Sequence, residues 1–163
     1  MPNRRSLLRA TAATWLGTWL AVAKAQNNMR QVALLAIVEG PNPSRERFRS
    51  RLAELGWVEG KNLVLDIRFT HGDGARIAPL TAELLALQPD VFVAPFDTMA
   101  IAAAASTATV PIVFAIGVDP IAYGLVESLS HPGRNATGFS GGGPELGKKW
   151  LSLFKEAVPG LKV

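Results

Sequence analysis

The sequence predicts an α/β fold, a parallel five-stranded sheet with helices on both faces. Three observations carry that expectation. From Gln31 onward, short apolar runs of strand length alternate with longer stretches of helical spacing. The first run, "QVALLAIV", is apolar without alternation, as suits a strand covered on both faces. Each run is separated from the next by enough chain for a crossover helix, which parallel pairing requires.

The first segment stands outside this alternation. "MPNRRSLLRATAATWLGTWLAVAKAQ" opens with Arg4, Arg5 and Arg9, continues as an apolar stretch from Ala10 to Ala23, and closes on the small-x-small pattern Ala23-Lys24-Ala25. That order is an export signal, expected over residues 1–25. The apolar stretch is shorter than the roughly 20 residues a spanning helix needs. Asn3 to Arg9 resembles the twin-arginine export motif, with Leu7 at the usual phenylalanine position. The formal charge of +4 depends on this segment. Removing Arg4, Arg5, Arg9 and Lys24 leaves 13 basic residues against 13 acidic ones. A nucleic-acid partner needs a basic footprint to neutralise phosphates, so none is expected. The chain has no cysteine, which excludes a disulfide framework, a thiolate zinc site and a cysteine nucleophile.

The elements follow in order. "QVALLAIV" is the first strand. "SRERFRSRLAELG" is a helix with Ser44 as N-cap, an apolar stripe of Phe48, Leu52 and Leu55, and Gly56 closing it. "NLVLDIRF" is the second strand. "ARIAPLTAELLALQ" is a second helix with Ile77, Leu80, Leu84 and Leu87 on one side, and Pro79 fits only in its first turn. "DVFVAP" is a strand, "TMAIAAAASTA" a small-residue helix able to lie close to the sheet, and "VPIVFAI" a fourth strand after Pro111. "AYGLVESL" reads as a short helix and "ATGFS" as the fifth strand. "PELGKKWLSLFKEAV" is a last helix with Pro144 in its first turn and Trp150, Leu151 and Phe154 on one face.

In an open parallel sheet, ligands sit outside the carboxyl ends of the strands. The relevant loops are "EGPNPS", "THGDG", "PFDT", "GVDP" and "SGGG", which carry Glu39, Asp97, Thr98, Asp119 and Ser140. Thr98 is placed to cap the third helix and leave backbone N–H groups facing a carboxylate. Asp97 and Asp119 suit an ammonium group. The conspicuous stretch "LGWVEGKNLVLDIRF" runs from helix to strand and so lies at the other end of the sheet, where Gly56, Gly60 and Asn62 serve as turn punctuation.

Other chemistries find no support. Gly142 to Lys149 matches the phosphate-loop pattern except at its last position, where Lys149 replaces the magnesium-holding hydroxyl. Gly147 and Lys148 fall inside the expected helix and cannot wrap an anion. His71 and His131 have no second ligand at metal-like spacing, and neither a nucleophile elbow nor a dinucleotide fingerprint is present. Asn135-Ala136-Thr137 matches a glycosylation sequon, read as accidental in an exported bacterial chain.

Four segments, "FRSRLAELGWVEGKNLVLDIRF", "LTAELLALQPDVFVA", "STATVPIVFAIGVDPIAYGLVESLSHPGRNATGFS" and "ELGKKWLSLFKEAVPGLKV", resemble the substrate-binding proteins of ABC transporters, in the branch linked to tryptophan and tyrosine uptake. The resemblance implies a type I periplasmic binding protein. Such proteins have two lobes, each with a Rossmann-like or flavodoxin-like sheet, and hold a small solute in the cleft between them. It implies no catalysis, no cofactor, a permease partner in the membrane and a periplasmic location. It places ligand contacts on Glu39, Gly40, Ser44, Phe96, Asp97, Thr98, Asp119 and Ser140. It also sets the expected boundaries: a first lobe over 26–140, and the hinge and first helix of a missing second lobe over 141–163. A monomer is expected. Pro95-Phe96-Asp97-Thr98 departs from the Gly/Thr-rich loop frequent in relatives and bears on ligand preference. Two other readings remain. An enzyme on a flavodoxin-like sheet would need a catalytic constellation. A ligand-sensing module is disfavoured by the export signal.

Overall fold

The computed structural model describes residues 29–141 and 144–158. The export-signal reading over 1–25 lies outside the described residues, as do Gly142, Gly143 and residues 159–163.

Five strands form one sheet: β1 (Arg30–Ala36), β2 (Leu63–Phe69), β3 (Val91–Ala94), β4 (Ile112–Ile116) and β5 (Ala136–Ser140). Their order is β2-β1-β3-β4-β5, and every pairing is parallel. Among the described residues four α-helices accompany them: α1 (Pro43–Glu54), α2 (Ile77–Ala86), α3 (Asp97–Ser106) and α4 (Pro144–Ala157). A 3-10 turn, Gly74–Arg76, leads into α2. The parallel pairing is what the α/β alternation predicted, and the sheet order is the doubly wound, flavodoxin-like one.

The core lies on one face of the sheet. Ala33, Leu35, Phe92, Ala94, Ile112, Phe114 and Ile116 project there and meet Leu84 of α2 and Met99, Ala100 and Ala103 of α3. Alanines on α3 let the helix approach the strands closely. Each large side chain fully buried in this layer contributes on the order of 1.5–3 kcal/mol. The opposite face carries α1, whose Phe48 and Leu52 lie over Val32 and Leu63. That helix buries no residue completely.

Local chemistry explains most element ends. Asn42, not Ser44, caps α1: its side-chain oxygen accepts the Arg45 N–H at 3.0 Å. Pro43 then occupies the first helical position, where its missing N–H costs nothing. Ser44 sits one residue further in, exposed. The helix closes in a Schellman motif. Gly56 adopts φ +90°, its N–H bonds the Ala53 carbonyl, and the Trp57 N–H bonds the Leu52 carbonyl. Leu55 therefore leaves the apolar stripe and is exposed. Leu87 likewise ends α2 and faces solvent. Pro79 stands in the first turn of α2, as expected.

One predicted element does not form. "AYGLVESL" is a series of turns. Gly124 takes φ +67°, and the N–H groups of Leu125 and Val126 both reach the Pro120 carbonyl. A left-handed residue between these bonds stops helix propagation. The coil still buries Leu125 and Val126 in the core, which explains its apolar pattern. Gly138 in β5 is required for another reason: a Cβ there would overlap the carbonyl oxygen of Phe114 on β4. Edge strand β2 carries Asp66, bonded by Gln31, and Arg68, bonded to Glu83, and such charges discourage edge-to-edge association.

Candidate functional site

The parallel sheet sends all its strand-to-helix connections to one edge. That edge holds all eight sequence-predicted residues. Glu39 and Gly40 follow β1 and are exposed, with Gly40 at φ +84°. Ser44 lies in the first turn of α1. Phe96, 45% exposed, is the N-cap residue of α3, and Asp97 and Thr98 are its first two helical residues. Asp119 follows β4, and Ser140 ends β5.

Thr98 is not a cap. The cap position belongs to Phe96, which has extended backbone and offers no side-chain bond to the helix. The first-turn N–H groups of α3 thus receive no bond from the N-cap side chain, at the positive end of the helix dipole. The Asp97 carboxylate points across the edge instead: its Oδ1 accepts the Gly117 N–H at 2.7 Å, tying the β3 loop to the end of β4. Asp119 Oδ1 accepts the Ile121 N–H at 2.9 Å. Neither Oδ2 has a hydrogen bond among the described residues. Ser140 Oγ donates to the Val118 carbonyl at 2.7 Å, and the Gly141 N–H bonds the Ile116 carbonyl. The loops after β3, β4 and β5 are therefore joined directly. Glu39, Gly40 and Ser44 take no part in that network.

Two further residues of this edge were not among the expected ligand contacts. Arg45 clamps the β1 loop. Its guanidinium donates to the Val38 carbonyl at 3.1 Å and to the Gly40 carbonyl, and lies 5.3 Å from the centroid of the Phe69 ring. His71 follows β2 with φ +56°, unusual for a side chain other than glycine, and its ring centroid is 6.2 Å from that of Phe69. The loop "THGDG" had marked the place of His71. Nothing local marks Arg45, because its partners come from a loop before the helix and a strand after it.

The other end of the sheet is fastened by its own side chains. Asn62 accepts the Val58 N–H at 2.7 Å and donates to the Gly56 carbonyl at 2.9 Å, so "LGWVEGKN" is a self-closed turn. Asp90 uses both oxygens, on the Arg30 guanidinium and the Gln31 N–H. These two donors hold its carboxyl below the usual range, the Gln31 N–H contributing most. The Asn135 amide donates to the carbonyls of Thr107 and Val110, which gives the sequon asparagine a structural role. In α4, Gly147 and Lys148 are helical, as expected.

Residues 31–163 match the family described as ABC transporter substrate binding protein. Among solved structures, a conserved domain protein from Vibrio cholerae O1 biovar El Tor is similar at 34% identity and TM-score 0.70, over 82% of this chain and 45% of that one. An ABC domain in complex with L-Trp from Streptococcus pneumonia shares 29% identity at TM-score 0.59, over 69% of this chain and 38% of that one. A tyrosine-binding protein of Clostridioides difficile is 28% identical over 113 residues, which is 68% of this chain and 33% of the relative. The chain thus spans less than half the length of each of these relatives. The match covers all but the first two described residues, and the chain belongs to the ABC transporter substrate-binding protein family.

Proposed function

We propose that this chain is the first lobe of an extracytoplasmic solute-binding component of an ABC importer. Residues 1–25 direct export to the periplasm, residues 26–140 form the lobe, and 141–163 begin the connection to a second one. The solute is small, of the aromatic amino-acid class, and passes to a permease in the membrane. The chain acts by binding and release, making and breaking no covalent bond.

One observation carries the reading at the level of residues. Asp97 and Asp119 each fix one carboxylate oxygen on a backbone N–H and leave the other without a hydrogen bond among the described residues, and Phe96, which precedes Asp97, is exposed. A carboxylate held this way is pre-oriented for an ammonium group. Phe96 offers a ring for stacking, and the uncapped first turn of α3 suits a carboxylate. The named ligands of the relatives, L-Trp and tyrosine, carry these three groups.

A two-lobed binder gains affinity by closing over its solute and excluding water. One lobe supplies half of those contacts. Isothermal titration of this chain with L-tryptophan or L-tyrosine is expected to give no saturation at micromolar concentrations. Micromolar affinity for any amino acid would overturn the reading of an incomplete cleft.

A further inference from the structure

The loop that follows β1 has little of its own to hold it. Pro41 and Pro43 carry no N–H, and Gly40 turns the chain at φ +84°. Val38, Glu39, Gly40 and Pro41 are all exposed. Among the described residues these four make hydrogen bonds to one side chain alone, that of Arg45. Its guanidinium donates to the Val38 carbonyl at 3.1 Å and to the Gly40 carbonyl.

Arg45 is itself held from two sides. Its own N–H is bonded by the Asn42 cap at 3.0 Å, which fixes the first turn of α1. Its guanidinium lies 5.3 Å from the centroid of the Phe69 ring. Phe69 stands on a firm base, because the pairing of β2 with β1 runs on past both strands. The Thr70 N–H donates to the Ala36 carbonyl at 2.9 Å, and the His71 N–H to the Ile37 carbonyl at 2.7 Å. Arg45 makes no ion pair among the described residues, so no carboxylate competes for its donors. A planar guanidinium can offer its edge to two carbonyls and its charge to a ring face at once, which an ammonium group cannot.

We propose that Arg45 is a positioning residue of the solute edge: it sets the place of the β1 loop, and so of Glu39 and Gly40, and acts on the solute only through them. The edge then has two parts with separate anchors. The loops after β3, β4 and β5 are tied together by Asp97 and Ser140. The β1 loop hangs on Arg45, and through its guanidinium on the ring of Phe69. Pre-ordering a loop before the solute arrives removes an entropy cost from binding. The proposal rests on the solute reading for what the loop meets, and not for how the loop is held.

Backbone amide relaxation of the full chain, measured by NMR without solute, tests it. Order parameters at Val38, Glu39 and Gly40 are expected at about 0.85 in the unmodified chain and below about 0.6 in Arg45→Met. Methionine keeps helix propensity and a long stem while losing the donors and the charge. Arg45→Lys, which can still donate to a carbonyl, is expected to fall between the two. Arg47→Gln removes an exposed charge from the same helix, where it makes no hydrogen bond or ion pair among the described residues, and is expected to leave the loop ordered. On addition of L-tryptophan, Arg45→Met is expected to lose the amide shifts at Glu39 and Gly40 and to keep those at Phe96–Thr98 and Asp119. A loop as ordered in Arg45→Met as in the unmodified chain would overturn the proposal, and so would equal loosening in Arg47→Gln. Tryptophan shifts at Glu39 and Gly40 that survive the loosening would also overturn it, leaving Arg45 a structural role alone. An unmodified chain that shows no shift at any edge residue would count against the solute reading, and the solute-free order parameters would still decide whether Arg45 places the loop.

Discussion

The two ends of the sheet use polar residues in opposite ways. At the helix-to-strand end, Asn62 and Asp90 direct both arms of their side chains at fixed partners, and the Asn135 amide nitrogen donates to two backbone carbonyls. At the strand-to-helix end, Asp97 and Asp119 fix one oxygen and leave the other, and Glu39 and Thr98 are exposed. The difference teaches where to look for function. A polar side chain whose bonds are all made inside the fold is structure. One that is held in place but half satisfied is positioned for something outside it. Substitutions at the first end are therefore expected to change stability alone, and at the second end to change solute binding.

The largest effect expected is one that spans both ends. Gly138→Ala sets a Cβ against the Phe114 carbonyl within the β4–β5 pairing. Overpacking of this kind costs about 1–3 kcal/mol. Denaturant unfolding should show a lower midpoint, and Ser140 should lose its alignment with Val118. An unchanged midpoint would mean that β5 slides freely and does not hold the edge together. Next is Asn135→Ala, which leaves the carbonyls of Thr107 and Val110 without their donor. It is expected to cost about 1–2 kcal/mol and to leave solute binding unchanged. A variant that weakened binding without loss of stability would break the comparison.

Asp97→Asn sharpens it from the other side. The amide can still accept the Gly117 N–H, so stability should move by less than about 1 kcal/mol, while the charge that attracts an ammonium group is gone. The smallest effect is at Asp90. Its carboxyl is held low in the folded state by the Gln31 N–H and Arg30. The stabilisation is therefore complete above the unfolded-state value of about 3.9 and fades as pH falls through the lowered folded value. Because the pair is exposed, the total is below about 1 kcal/mol. Asp90→Asn should remove this acid-side slope, and a slope that persists unchanged would place its origin elsewhere.

The sheet was legible because buried parallel strands are written as continuous apolar runs, and "QVALLAIV", "DVFVAP" and "VPIVFAI" could be little else. Strand order and helix sides then brought the candidate residues to one edge. Finer assignments failed where the deciding bond was not local or where two good candidates competed. Asn42 and Ser44 both make good N-caps, and Pro43 between them decides, since proline prefers the first helical position. Thr98 yielded to Phe96 because Asp97 turns away to Gly117, twenty residues along the chain. The apolar pattern of "AYGLVESL" records the burial of Leu125 and Val126 and not a helix, and only Gly124 hinted at the turn. The grip of Arg45 on Gly40 and Phe69 has no sequence signature.

The claim that matters most is that the strand-to-helix edge is the solute-binding surface. It is tested most directly by titrating isotope-labelled chain with L-tryptophan, with L-lysine as the control, and following backbone amide shifts by NMR, which detects millimolar binding. The account predicts weak, tryptophan-dependent shifts confined to Glu39–Ser44, Phe96–Thr98, Asp119 and Ser140, reduced in Asp97→Asn. Shifts centred on the turn around Asn62, or none at any edge residue at saturating tryptophan, would contradict it.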